Sequence, residues 1–147
     1  MAGRLTLHRQ ETEYSCAPAC LKMVLESLGT IKTEEELRNL TDCTLSGTHA
    51  LSLVEAARKL GFSGTRKYSL TFEELKEVLH EGLYPIVYLR AELSEGQMPQ
   101  MHAVVVEFID HDGVHLLDPW RGTLIYDFDR FTREWSVFHG LTILVEN

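Results

Sequence analysis

From Ala17 to Leu28 apolar residues return every fourth position, as Ala17, Leu21, Leu25 and as Cys20, Val24, Leu28, while Lys22 and Glu26 mark one narrow polar stripe. This spacing predicts a helix that is apolar around most of its circumference, hence buried, with the fold packed around it. Pro18 fits the first turn, where a missing N–H costs nothing, and Gly29 fits the position just past the end. Residues 1–9 read as a short strand or arm leading into this segment. Downstream, Thr33-Glu34-Glu35-Glu36 is a capping box that opens a short helix with Leu37 and Leu40 inward, and Cys43 to Gly47 is a loop. Leu51, Val54, Ala57 and Leu60 predict an amphipathic helix stopped by Gly61. A short extended piece from Thr65 to Leu70 follows. Thr71-Phe72-Glu73-Glu74 is then a second capping box, starting a helix with Leu75, Val78 and Leu79 inward.

From Tyr84 the period changes from helical to extended. Pro85-Ile86-Val87-Tyr88-Leu89 predicts a buried strand with proline at its start, where no ladder donor is lost. Glu92 to Met101, carrying Gly96 and Pro99, reads as an exposed loop. His102 to Ile109 is a second strand, Asp110 to Gly113 a turn, Val114 to Asp118 a third strand and Thr123 to Tyr126 a fourth. Asp129 to Trp135 suggests a short helix, and Leu141 to Val145 a last strand. Helices first and antiparallel strands later make an α+β pattern.

Composition narrows the function classes. A chain of 147 residues with 44% hydrophobic and 24% charged content is one domain by size, 1–147, with a real core. No apolar run approaches the roughly 20 residues that span a bilayer, so the chain is not expected to be membrane-embedded. The N-terminus, M-A-G-R-L-T-L-H-R-Q, lacks the features of a signal peptide, which makes the cytoplasm the expected compartment. A formal net charge of -8 argues against a nucleic-acid partner and is compatible with cationic peptide substrates. Three cysteines, Cys16, Cys20 and Cys43, cannot all pair, and a reducing compartment keeps them as thiols.

The candidate chemistry begins at Cys16, at the start of the predicted central helix. Free N–H groups and the positive dipole end favour an anion there, so a thiol ionises more easily. The plainer reading of a cysteine is a small buried hydrophobe. Gln10 in the preceding loop tells against that reading. A glutamine side-chain N–H and the nucleophile's own backbone N–H supply two donors for the oxyanion formed when a thiolate attacks a carbonyl. The base would be His102, which opens one strand, with Asp118, which closes the next, as its orienting carboxylate. An antiparallel hairpin brings both to one end of the sheet. They share a face only if the connecting loop has an odd residue count or a bulge intervenes, and Gly113 offers the left-handed position such a loop needs. Each has an ordinary reading too: His102 as a histidine capping a strand, Asp118 as the opener of an Asp-Pro turn. His8, His49, His80, His111, His115 and His139 lack this relation and read as surface or packing residues. Cys16 and Cys20 with His102 do not match a usual zinc pattern, so no metal and no cofactor is expected.

Gln10-x5-Cys16, followed by A-P-A-C-L-K-M-V-L-x3-G, H-A-V-V-V from His102 and L-L-D-P-W-x-G ending at Gly122, resembles the papain-like cysteine peptidases that process bacteriocin precursors. The likeness runs from Gln10 to Trp135 and takes in L-S-G-T-x3-S-L and D-R-F-x3-W. It implies a papain-like fold, N-terminal helices packed on a C-terminal antiparallel sheet, and a cysteine peptidase. The implied set is Cys16 as nucleophile, His102 as base, Asp118 as orienting carboxylate and Gln10 in the oxyanion hole. Members of that family occur as N-terminal domains of peptide-exporting ABC transporters, cutting leader peptides after a double glycine, and as stand-alone relatives. The implied partners are a peptide or protein substrate and a separate ABC-type exporter. Ala17 stands where the transporter-linked members typically carry glycine, and Ser15 where they often carry aspartate, so C-A-P-A resembles the stand-alone branch. The 147 residues hold no membrane domain or ATPase, so a stand-alone peptidase is the expectation. Two other readings remain: a catalytically silent peptide-binding domain, in whose relatives the catalytic set is typically broken, and a transglutaminase-type acyltransferase, which gives no reason for Gln10-x5-Cys16.

Overall fold

The computed structural model describes residues 3–147, so Met1 and Ala2 of the predicted N-terminal arm lie outside it. The arm forms no strand; it runs along the central helix, with Gly3 N–H donating to Ser27 O and His8 Nε2 bonded to Glu26 at 3.0 Å. The elements in order are α1 (Cys16–Ser27), α2 (Glu34–Leu40), α3 (Ala50–Lys59), β1 (Arg66–Ser69), α4 (Phe72–His80), β2 (Ile86–Ala91), β3 (Gln100–Asp110), β4 (Gly113–Asp118), β5 (Gly122–Tyr126), α5 (Phe128–Ser136) and β6 (Leu141–Leu144). Among the described residues, no helix is long and apolar enough to cross a membrane.

The strands make one six-stranded sheet in the order β1-β6-β2-β3-β4-β5, and the pairs within it are antiparallel. Alternation along the central strands divides the core in two. Ile86, Tyr88, Ala103, Val105 and Leu117 face α1 and α3, while Val87, Leu89, Val104, Val106 and Leu116 face Leu75 of α4 and Phe131 and Trp135 of α5. Helices therefore cover both faces, and the later helices do not simply extend the N-terminal layer. This is why β2 and the start of β3 read as continuous apolar runs rather than as alternating patterns.

The central helix forms where expected. Leu21, Met23 and Leu25 have no exposure, and each such side chain contributes about 1.5–3 kcal/mol by leaving water. Gly29 takes the left-handed φ of +90° just past its end. Both predicted capping boxes are present, Thr33 with Glu36 and Thr71 with Glu74. Two expectations shift. α3 buries Leu53, Val54, Ala56 and Ala57, leaving Leu51 at 52% exposure, because the helix begins only at Ala50 and its first turn overhangs solvent. β3 begins at Gln100 rather than His102, since Gln100 and Met101 pair with Ala91 and Arg90 and draw the end of the predicted loop into the sheet.

Candidate active site

Cys16 is the first residue of α1. The first intrahelical bond runs from Ala19 N–H to Ser15 O at 3.1 Å, and Pro18 has no N–H, so Cys16 and Ala17 hold the free donors of the helix end. Ser15 occupies the cap position without capping the helix. Its hydroxyl is drawn backwards, accepting from Thr12 Oγ1 at 2.7 Å and donating to Glu34 Oε2 at 3.2 Å. The helix end is thereby left open toward a cleft of about 650 Å³ lined by Cys16, His102, Tyr14, Trp120, Leu45 and Met101, among others.

Gln10, Cys16, His102 and Asp118 come from different segments, and two features of the sheet bring the last two together. The turn at His111 and Asp112 pairs Asp110 with Gly113, an even loop that by itself would set His102 and Asp118 on opposite faces. A bulge at Glu107 then shifts the register, so that Val106 pairs with Leu116 and Val105 with Leu117. His102 has the parity of Val106, and Asp118 that of Leu116, so the pair shares one face. Gly113 has the positive φ that the turn requires, and a side chain there would strike Tyr126 O.

The resulting dyad is dry. His102 is 1% exposed and Asp118 is fully buried, with His102 Nε2 at 2.7 Å from Asp118 Oδ1. As Asp118 is a carboxylate, Nε2 carries the proton and donates, leaving Nδ1 as the ring nitrogen for the Cys16 thiol beside it. Burial alone lowers the imidazole pKa, but the bond to Asp118 and the neighbouring Cys16 more than offset it, raising it to about 9. Burial raises the Asp118 carboxyl, yet His102 and the Arg121 guanidinium overcome this and hold it at about 2. The Cys20 thiol, fully buried one turn along α1, is pushed well up by burial and then by Cys16 and Asp118, so it stays protonated and inert.

Gln10 is tied to the same corner through its backbone N–H, which donates to Pro119 O at 2.8 Å. Its side chain is oriented less directly than the sequence implied. Nε2 donates one hydrogen to Thr12 O at 2.7 Å, Oε1 is buried without a partner, and the residue lines a second pocket with Arg9, Pro119 and Trp120. The second Nε2 hydrogen has no partner among the described residues, and Gln10 is not among the residues lining the cleft of Cys16 and His102.

Two residues of this region escape a reading of the sequence. Glu34, by pattern an ordinary member of a capping box, is 1% exposed. It accepts from Glu11 N–H at 2.9 Å and from Ser15 Oγ at 3.2 Å, and it pairs with Arg38. It therefore fixes both ends of the loop between Gln10 and Cys16, and the Glu34/Arg38 spacing of one helical turn is the available signal. Arg121, the unspecified position in D-P-W-x-G, donates from Nε to Asp118 Oδ2 at 2.6 Å, and nothing in its spacing marks it.

The Peptidase C39 family profile matches residues 4–147. The lactococcin-G-processing and transport ATP-binding protein LagD of Lactococcus lactis subsp. lactis is 30% identical over 127 residues, 86% of this chain. The chain spans under a fifth of the length of its transporter relatives, 17% of LagD and 19% of the transport/processing ATP-binding protein ComA of Streptococcus pneumoniae. The crystal structure of the peptidase domain of Streptococcus ComA, a bi-functional ABC transporter, superposes with a TM-score of 0.81 at 28% identity, covering 98% of this chain and 100% of that one. A double glycine motif protease from an AMS/PCAT transporter, solved with its leader peptide, shares the fold with a TM-score of 0.77 at 20% identity over 97% and 91% of the two chains. With a profile running almost end to end and peptidase domains as its structural neighbours, the chain belongs to the Peptidase C39 family of cysteine peptidases.

Proposed function

We propose that this chain hydrolyses peptide bonds through Cys16, His102 and Asp118, with the Gln10 side-chain N–H and the Cys16 backbone N–H as oxyanion donors. The observation that carries the reading is the placement of Cys16 at the open end of α1, beside a buried His102–Asp118 pair and inside a cleft. His102 takes the Cys16 proton, and the thiolate attacks the scissile carbonyl carbon. The carbonyl electron pair moves onto oxygen, toward the two donors. As the C–N bond breaks, His102 gives its proton to the departing amine, leaving a thioester on Cys16. Water, deprotonated by His102, then attacks that thioester and returns the free thiol and a carboxylate product. Asp118 holds the imidazole orientation and stabilises the imidazolium throughout.

The substrate we infer is a leader-type peptide cut after small residues, as in the double glycine motif protease solved with its leader peptide. Leu45 and Met101, at 83% and 45% exposure on the cleft rim, offer apolar contacts to the aliphatic residues of such a leader. The working unit we infer is one peptidase domain acting in the cytoplasm, with a separate ABC-type exporter taking the product, by analogy with the transporters named among its relatives. A peptide library varied at the last two positions before the bond tests this. Cleavage should require glycine or another small residue immediately before the cut. Gln10→Ala should lower kcat about 10²–10³-fold with little change in melting temperature. Equal cleavage after glycine and after leucine or phenylalanine would reject the leader-peptidase reading. Aminolysis in place of hydrolysis would reinstate the acyltransferase.

A further inference from the structure

Asp118 carries more partners than an orienting carboxylate needs. Oδ1 accepts from His102 Nε2 at 2.7 Å, from Trp120 N–H at 2.7 Å and from Arg121 N–H at 3.1 Å. Oδ2 accepts from Arg121 Nε at 2.6 Å. The Arg121 side chain is 17% exposed, and its guanidinium lies over the Tyr126 ring, 5.6 Å from the centroid. Arg130 of α5 also lies over that ring, at 3.9 Å, and is bonded to Glu134 at 3.0 Å. Arg121 is thus clamped between the triad carboxylate and an aromatic ring of β5, and its charge cannot swing away.

We propose that Arg121 is a positioning residue of the catalytic centre, which locks the Oδ2 edge of Asp118 and, by its fixed positive charge, sets the pH at which His102 gives up its proton. The inference rests on the peptidase reading for its meaning but not for its test. A carboxylate held by one donor on Oδ2 and three on Oδ1 cannot rotate, so the His102 ring plane is fixed with it. The electrostatic consequence has a definite sign. A cation behind Asp118 shares the carboxylate's charge with the imidazolium and opposes protonation of His102. Removing it moves the His102 transition to higher pH. The other groups facing the centre are Cys16 and Cys20 from α1, Tyr88 from β2 and Tyr126 from β5, with Arg130 and Glu134 reaching it from α5 only through Tyr126. Burial keeps Cys20 and Tyr88 neutral over the working range, with Tyr88 far above its ordinary value. Arg121 is therefore the fixed charge in contact with Asp118.

The experiment follows the His102 ring across pH by NMR in protein labelled with 15N-histidine, assigned by His102→Gln. No peptide substrate is involved. Arg121→Gln keeps a hydrogen bond to Asp118 without charge, and Arg121→Met removes both. Each should raise the His102 midpoint by about one pH unit. Arg121→Lys, which restores the charge, should return it most of the way to the wild-type value. Unmoved or lowered midpoints in the Gln and Met proteins would overturn the proposal, because a purely structural arginine changes melting temperature and not the titration. Should those two variants fail to fold, a one-unit rise in the Lys protein would overturn it equally. A raised midpoint in a protein that hydrolyses no peptide would support the role of Arg121 while removing the peptidase reading.

Discussion

Cys16→Ala protein is expected to hydrolyse no peptide above background and to melt at the wild-type temperature. The loss expected is about 10⁴-fold or more, since removal of a nucleophile leaves only binding and oxyanion stabilisation. No second thiol can take over. Cys20 is sealed in the core with its pKa driven up by burial, and Cys43 lies in the loop after α2, with its Sγ at 3.8 Å from Tyr14 O. The fold should survive because alanine is small and helix-compatible, and gives up only the half-buried sulfur that Cys16 packs against the core. Peptide hydrolysis followed by chromatography, beside a thermal melt, reads both halves of the expectation. Activity persisting in this variant would mean that the cleft's chemistry resides elsewhere.

Asp118→Asn carries the second large effect, and it falls on rate and stability together. The four donors around the carboxylate leave no room for an amide: whichever way the new side chain turns, its NH₂ meets an N–H from His102, Trp120 or Arg121. The imidazole then loses its orientation and the imidazolium its counter-charge, lowering kcat about 10²–10⁴-fold. Folding stability should fall by roughly 1–3 kcal/mol, the cost of a buried donor left unpaired. The pH dependence has a clear sign. With its pKa held at about 2 in the fold, Asp118 stabilises fully above the unfolded value of about 3.9 and loses that contribution as pH falls toward 2. His102 runs the other way, stabilising fully below about 6.5 and losing its contribution as pH rises through about 9. Denaturation curves at neutral and acid pH should show the penalty of the Asp118→Asn change shrinking toward acid. A penalty independent of pH, with kcat unchanged, would contradict the assignment of Asp118 as the histidine's partner.

What the chain discloses by pattern is local. The period of α1, the two capping boxes and the glycine after Leu28 are short-range signals, and they place Cys16 at a helix start without tertiary information. The hairpin that joins His102 to Asp118 is visible in the sequence as a condition and not as a result. A bulge or an odd loop is required, and Glu107 is an ordinary strand residue that gives no sign of being the bulge. Leu51 points outward against expectation because apolar spacing fixes a helix face only to within one turn at its ends. Glu34 and Arg121 stay hidden for a different reason. Both are charged residues in sequence settings where charges are normally solvated, and only packing from distant segments turns one into a loop anchor and the other into a partner of Asp118. The Gln10 amide shows the same limit, since its spacing to Cys16 is legible while its hydrogen bond to Thr12 O depends on how the loop closes.

The most direct measurement of the central claim is alkylation at limiting iodoacetamide, followed by digestion and mass spectrometry, with residual hydrolysis assayed in the same samples. If Cys16, His102 and Asp118 form the working centre, the label appears first on Cys16, and activity falls in proportion to Cys16 modified. Cys20 remains unlabelled until the protein is unfolded. Label accumulating on Cys43 while hydrolysis continues undiminished would contradict the account.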